Sequence, residues 1–384
     1  MAKFLLDKDT LERIKSLVEK RADKKLIRKL ADVHYADIAE IAESLSIDDA
    51  VYLVKLLDSE KTADALAEID EDFREKILVQ LSAKEIAEEI EELDTDDAAD
   101  LIAELPEERQ EKVMSEISDS DHLKDIRELL TYEENTAGAL MAKELVKVQE
   151  DLSVLKCVNE MRAQAEYVTR VHSIYVVNTK NKLIGRLSLK DLLTANSKAK
   201  VKDIYIPKVD FVDVEEDVEE VAKIMSKYDL EAIPVVNNKQ ELLGRITIDD
   251  IVDVIKEEAD KDYQLAAGIS NDVEANDTIF ELSKARLPWL FLGLLGGLGS
   301  VFILKDFETI MTQPRVRSLF FYTPLIAAMA GNVGVQCSAI IVQGLANDVV
   351  KGSLINRLLK EVGLSLINGF FLAVVLIIFG WIMG

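Results

Sequence analysis

The hydrophobic pattern changes character three times along the chain. From about residue 30 to residue 130, apolar residues recur at helical spacing, and Asp, Ser or Thr stands at each start, which predicts helix after helix. A repeat of 48 residues runs through this stretch: Ile38-Ala39-Glu40 returns as Ile86-Ala87-Glu88, Leu45 as Leu93, and Asp48-Asp49-Ala50 as Asp96-Asp97-Ala98. Leu53, Leu57, Glu68 and Ile69 match Leu101, Leu105, Glu116 and Ile117. Repeats of this length stack as an α-solenoid, each unit covering the apolar face of the next. Residues 30–135 are therefore read as a helical solenoid, preceded by a short helical segment over 1–29.

Near Thr136 the pattern switches to strands. Ile174–Asn178 (IYVVN) precedes Leu183–Leu192 (LIGRLSLKDL), and 59 residues on, Ile233–Asn237 (IPVVN) precedes Leu242–Ile251 (LLGRITIDDI). Each half reads as strand, turn, strand and a helix capped after Ser188 or Thr247. This predicts two α/β units, 136–197 and 198–259, packed as a pseudo-symmetric pair. A polar helix over 260–283 would join them to the apolar C-terminal part; Glu257 to Asp262 is strongly charged, and Ala266, Ala267 and Gly268 are small.

That last part, 284–384, is apolar on all sides. Leu287–Leu304, Ser318–Ala346 and Val362–Gly384 are uncharged over 18, 29 and 23 residues. A helix needs about 20 apolar residues to cross a bilayer, so three spans are predicted, with no carboxylate inside any of them. Lys284, Arg286, Lys351, Arg357 and Lys360 flank them on one side and Lys305, Arg315 and Arg317 on the other, which favours a cytoplasmic N-terminal part in a multi-pass cell-membrane (inner-membrane) protein. The second span carries Asn332, Gln336 and Ser338, polar groups that face protein or water rather than lipid. Asn332 and Gln336 share one helix face, and Gly331 and Gly334 let a backbone come close. A hydrogen-bonded seam between helices and a conduction path both fit these residues. Gly293 and Gly297 add a packing pair in the first span.

Charge sharpens the division. The 384 residues carry 46 Lys and Arg against 71 Asp and Glu, a net −25. Residues 1–29 are net +5, 30–135 net −25, 136–286 net −7 and 287–384 net +2, so the excess lies in the solenoid. Such a block repels nucleic-acid phosphates and anionic lipid, leaving cations or basic proteins as partners. Two cysteines far apart, Cys157 and Cys337, make no disulfide framework, and His34, His122 and His172 are scattered, so a soft-metal site is not expected. No nucleophile–base pair, phosphate-binding loop or catalytic histidine cluster is present in the pattern, which argues against an enzyme.

The two α/β units resemble a tandem pair of CBS domains, through the apolar–Pro/Tyr–Val–Val strand and the Gly-x-x-Ser/Thr-x-x-Asp signature. That resemblance implies adenosine-nucleotide (ATP) binding near Ser188, Asp191, Thr247 and Asp250; alternatively, Thr247 and Asp250 only cap the last helix. The order of parts then resembles the MgtE family of magnesium channels: acidic solenoid, the stretch Tyr132–Met141 (YEENTAGALM), CBS pair, connecting helix, and a span with Gly-Asn-x-Gly-x-Gln. The resemblance implies a homodimer in the lipid bilayer that binds Mg2+ and closes when cytosolic Mg2+ is high. It assigns Asp96 and Asp100 of the solenoid, Asp229, Asp250 and Asp253 of the second CBS unit, and Glu258 and Asp262 of the connecting ("plug") helix to Mg2+ sensing. Gly331, Asn332 and Gln336 would line the pore. The family has five spans with an acidic pore residue on the last, so a chain ending at Gly384 reads as cut after its third span. The competing class is a membrane-anchored CBS regulatory protein without transport activity of its own.

Overall fold

The computed structural model describes residues 6–168, 170–270, 273, 277–311, 313, 322–346 and 354–383. They form two compact units, Met1–Val254 and Ile255–Gly384. The first begins with ten helices: α1 Lys8–Glu19, α2 Asp23–Leu30, α3 Tyr35–Glu43, α4 Ile47–Leu56, α5 Ser59–Ala67, α6 Glu71–Gln80, α7 Ala83–Ile90, α8 Thr95–Ala103, α9 Glu107–Glu116 and α10 Ser120–Leu129. Side chains at helix starts set their boundaries: Asp7, Ser46, Asp70, Ser82 and Asp119 each accept a backbone N–H of the first turn, and Ser82 and Glu85 do so reciprocally. Asp70, Asp119 and Glu85 thus place their charge at helix starts.

Packing follows the repeat. Helices two apart in sequence lie side by side, α3 on α5, α5 on α7 and α7 on α9, with α4 on α6 and α8 on α10. Their apolar faces form a continuous core that includes Ile77, Leu78, Ile86, Ile90, Leu101 and Ile102. The basic helices α1 and α2 close one end through Ile14, Val18, Leu26 and Leu30, which pack with Ile38, Ile41 and Leu53. This is the capped end that a stacked-helix domain requires.

The short helix α11 (Ala137–Leu140) leads into two three-stranded sheets. In one, β1 (Val146–Gln149) pairs parallel with β2 (Ile174–Val177), which pairs antiparallel with β3 (Leu183–Leu187). In the other, β4 (Val212–Asp213), β5 (Ala232–Val236) and β6 (Leu242–Thr247) repeat that arrangement. Helices α12 (Val154–Gln164) and α13 (Leu189–Thr194) flank the first, and α14 (Val218–Tyr228) the second. The 59-residue repeat becomes an exchange: Leu183 N–H donates to Gln240 O at 2.9 Å, and Leu242 N–H donates to Asn181 O at 3.0 Å. Asn181 and Gln240 both adopt the left-handed turn conformation, with φ 57° and 62°.

Helix α15 (Ile248–Ala266) runs on without a break from the second sheet. The predicted single helix over 260–283 is not one element. Gly268, at φ +80°, ends that path, and a Cβ there would meet the Trp289 ring at 2.6 Å. The side-chain amide of Gln264 bonds both the N–H and the C=O of Val273, and α16 (Ile279–Asp306) starts on a Thr278–Glu281 capping box. The short α17 (Glu308–Met311), then α18 (Thr323–Ala346) and α19 (Leu354–Met383) complete the order. Among the described residues, three helices are long and apolar enough to cross a membrane: Ile279–Asp306, Thr323–Ile341 and Leu359–Phe379. The expectation that no carboxylate lies within a span is overturned: Glu361 sits inside the third, where its Oε2 accepts from Cys337 Sγ of α18 at 3.1 Å.

Candidate metal centre

The site grows from the start of α8. Asp94 occupies the N-cap position there, yet its side chain makes no capping bond. Glu144, from the segment beyond α11, supplies the cap instead. Its Oε2 accepts from Thr95 Oγ1 at 2.8 Å and from Thr95 N–H at 3.2 Å. Thr95 Oγ1 in turn accepts the Lys143 N–H at 2.8 Å. The Asp94 carboxylate is thereby free to turn toward Arg245, whose guanidinium lies 3.6 Å away.

Arg245 is positioned by a second strand-like contact. Ala142 and Arg245 exchange backbone hydrogen bonds at 2.8 and 2.9 Å, which lays the 141–144 segment along β6. Gly244 makes this possible, since a Cβ there would lie 2.6 Å from the Ala142 carbonyl oxygen. The Arg245 side chain is buried, at 5% exposure, and its Nε donates to the Glu144 carbonyl.

Carboxylate oxygens of Asp94, Asp96 and Glu144 come within 4.8 Å of one another. Burial raises Asp94 to about 6, with the like charge of Glu144 adding to the rise and Arg245 opposing it. Burial also raises Asp97 to about 7, helped by Asp250 and Asp100. Asp96 is pushed well above the carboxylate range by burial and then by Asp97, Asp250, Asp94 and Glu144. Asp250 too is raised by burial, although Thr247 works against this by donating its N–H at 2.9 Å and its hydroxyl at 2.7 Å. Two carboxylates ~4 Å apart repel by about 4 kcal/mol at an effective dielectric near 20. Acids whose proton affinity is raised by burial and by one another's charge are a set short of positive charge. Its all-oxygen donors suit a hard divalent ion that keeps several waters.

Among the residues expected from sequence, Asp96 and Asp250 enter this cluster, and Asp100 contributes its field from the exposed side of α8. Asp229 is exposed and ends α14 in the left-handed conformation, φ 51°. Asp253 is exposed on α15; Glu258, further along that helix, bonds Lys261 at 2.8 Å, and Asp262 is half-buried. Ser188 and Asp191 pair at 2.6 Å at the start of α13, as Thr247 and Asp250 do at the start of α15. Gly331, Asn332 and Gln336 lie on exposed parts of α18. Sequence reasoning missed Asp94, Glu144 and Arg245. Asp94 looked like one more N-cap, and only the Gly-Arg pair recurring in both sheets (Gly185-Arg186, Gly244-Arg245) hinted at Arg245.

Residues 33–135 match the MgtE intracellular N domain, 137–198 and 201–257 the CBS domain, and 323–384 the divalent cation transporter domain. The chain matches the crystal structure of the soluble part of a magnesium transporter, with TM-score 0.59 and 30% identity, over 65% of this chain and 98% of that one. The chain belongs to the MgtE family. Two curated MgtE magnesium transporters are similar: that of Thermus thermophilus at 35% identity over 254 residues, 64% of this chain and 55% of that protein, and that of Bacillus subtilis at 34% over 230 residues, 60% and 51%. The chain spans about half the length of these curated MgtE relatives. Their named activity is transport, not catalysis. A crystal structure of the cytosolic domain of the Mg2+ channel MgtE in complex with ATP is also similar, at TM-score 0.60 and 30% identity over 99% of that chain.

Proposed function

We propose that this chain is the sensing part, and a portion of the conducting part, of a homodimeric Mg2+ transporter in the cell membrane, with residues 1–286 on the cytoplasmic side. The observation that carries this reading is the cluster of Asp94, Asp96 and Glu144 beside Asp250, where the solenoid meets the second CBS unit with Arg245 as the cation nearest Asp94. Acids from different elements repel until a divalent ion bridges them, so rising cytosolic Mg2+ draws the solenoid and the CBS pair together. Moving a gate from mostly open to mostly closed takes about 5.5 kcal/mol of differential binding, which several weak bridging ions can supply. Asp100, Asp229 and Asp253, with Glu258 and Asp262 on α15, supply further oxygens for such ions. Asn332 and Gln336, one turn apart on α18, offer amide oxygens to a hydrated cation, and Gly331 leaves room for it.

The CBS pair binds ATP in this reading, as the similar cytosolic domain does. Ser188 and Asp191 stand at a helix start where ribose hydroxyls could exchange with their mutual bond. Calorimetric titration of the chain tests both ligands. Mg2+ affinity falls at least tenfold in Asp96→Asn and Asp250→Asn, and ATP affinity falls in Asp191→Asn with Mg2+ binding intact. Unchanged Mg2+ affinity in both carboxylate variants would sink the sensor reading.

A further inference from the structure

Glu89 lies outside the cluster described above and has no part in it. It is on α7, 7% exposed, and the 48-residue repeat places it opposite Ile41, which is 0% exposed in the core of the first repeat. An acid thus stands where the same architecture elsewhere holds an aliphatic side chain. Its partner is the Thr62 hydroxyl of α5, 1% exposed, which donates to Glu89 Oε2 at 2.6 Å.

Among the described residues, no cation compensates it from the helices that pack there. On α5, Lys61 is committed to the carbonyls of Leu30 and Ala31, and Asp58 adds negative field. On α7, Lys84 pairs with Glu88 at 3.5 Å, and Glu85 is held by Lys55 at 2.8 Å. On α9, the Arg109 guanidinium serves the carbonyls of Leu78 and Leu81, while Lys112 and Glu116 are exposed. An ionised carboxylate with one hydroxyl donor and no counter-charge is costly in such a place, so the group stays neutral by holding its proton.

We propose that Glu89 is a proton-binding site that makes the α5–α7 contact, and with it the acidic solenoid, respond to pH near neutrality. Burial pushes its carboxyl up to about 7, Thr62 opposes the rise, and Glu88, Glu92 and Asp58 add to it. The sign is then fixed. The folded pKa lies above the unfolded one, so the folded contact binds more protons between the two values; its stability is greatest in acid, falls as pH rises through that window, and stays low beyond it. Acidification of the cytosol therefore tightens the solenoid in the same direction as a bridging divalent ion, through a different residue.

The test is hydrogen exchange of the whole chain in detergent micelles with EDTA, corrected for intrinsic rates. Between about pH 5.5 and about pH 8, opening of α5 and α7 increases on the order of tenfold in the wild type. In Glu89→Gln and in Glu89→Ile, which restores the residue of the first repeat, this dependence is lost in those two helices. Retention of the wild-type pH dependence in either variant overturns the proposal. Infrared difference spectra give an independent reading that does not rely on stability: the wild type loses a protonated-carboxyl stretch over the same interval, and the variants lack that component. A spectrum identical in wild type and Glu89→Ile also overturns it.

Discussion

Arg245 is the residue on which the acidic cluster balances. Its guanidinium is buried, faces Asp94 at 3.6 Å and supports the Glu144 carbonyl, so it stands in for part of the charge a divalent ion would bring. Arg245→Met removes that charge and leaves half-buried carboxylates facing one another. The expected cost is about 2 kcal/mol in Mg2+-free buffer, below that of a fully buried pair because Asp94 retains solvent contact. Added Mg2+ should restore more stability to this variant than to the wild type, as read by thermal unfolding. Equal Mg2+ rescue in both would mean that Arg245 and the ion do not act on the same acids. The same residues show what the sequence could not display. Asp96 was legible only through the family resemblance, whereas Glu144 and Arg245 come to the start of α8 through tertiary pairing, Glu144 bonding Thr95 from 49 residues away and Arg245 bonding Glu144 from 101.

At the level of elements, the repeats carried most of what could be read in advance. Helical periodicity over 30–135 gives the stacked helices, and the 59-residue recurrence gives the two sheets with their reciprocal bonds across Leu183 and Leu242. Each sheet takes one added segment beside its Gly-Arg pair: Arg186 pairs with Ile206 and Arg245 with Ala142. Alanine at Gly185 would meet the Ile206 carbonyl at 2.5 Å, and at Gly244 the Ala142 carbonyl at 2.6 Å. Both substitutions should cost roughly 1–3 kcal/mol through forced displacement. Only Gly244→Ala should also weaken Mg2+ binding, because it moves the segment that carries Glu144; equal Mg2+ affinities in the two variants would contradict that link. Two boundaries were not legible. The connecting helix breaks at Gly268 because its fixed turn overrides the helix-prone composition around it. Glu361 fell outside the third predicted span because the uncharged run begins at Val362, whereas α19 already begins at Leu354.

For the whole molecule, the net charge of −25 is a property of one domain, and the structure divides it into kinds. Some acids cap helices, as Asp70 and Asp119 do; some pair with lysine or arginine, as Glu85 and Glu104 do; Glu89 is buried against the Thr62 hydroxyl. A further group gathers where Asp94, Asp96 and Asp97 meet Glu144 and Asp250 from beyond the solenoid, and burial with mutual repulsion raises Asp94, Asp96, Asp97 and Asp250 above the ordinary carboxylate range. The account rests on that group responding to a divalent ion. Limited proteolysis of the chain in micelles, in millimolar Mg2+ or in EDTA, with Asp96→Asn alongside, tests it most directly. The prediction is that Mg2+ protects the 30–283 region of the wild type and leaves Asp96→Asn close to its EDTA pattern; cleavage of the wild type at the same rate with Mg2+ and with EDTA would contradict it.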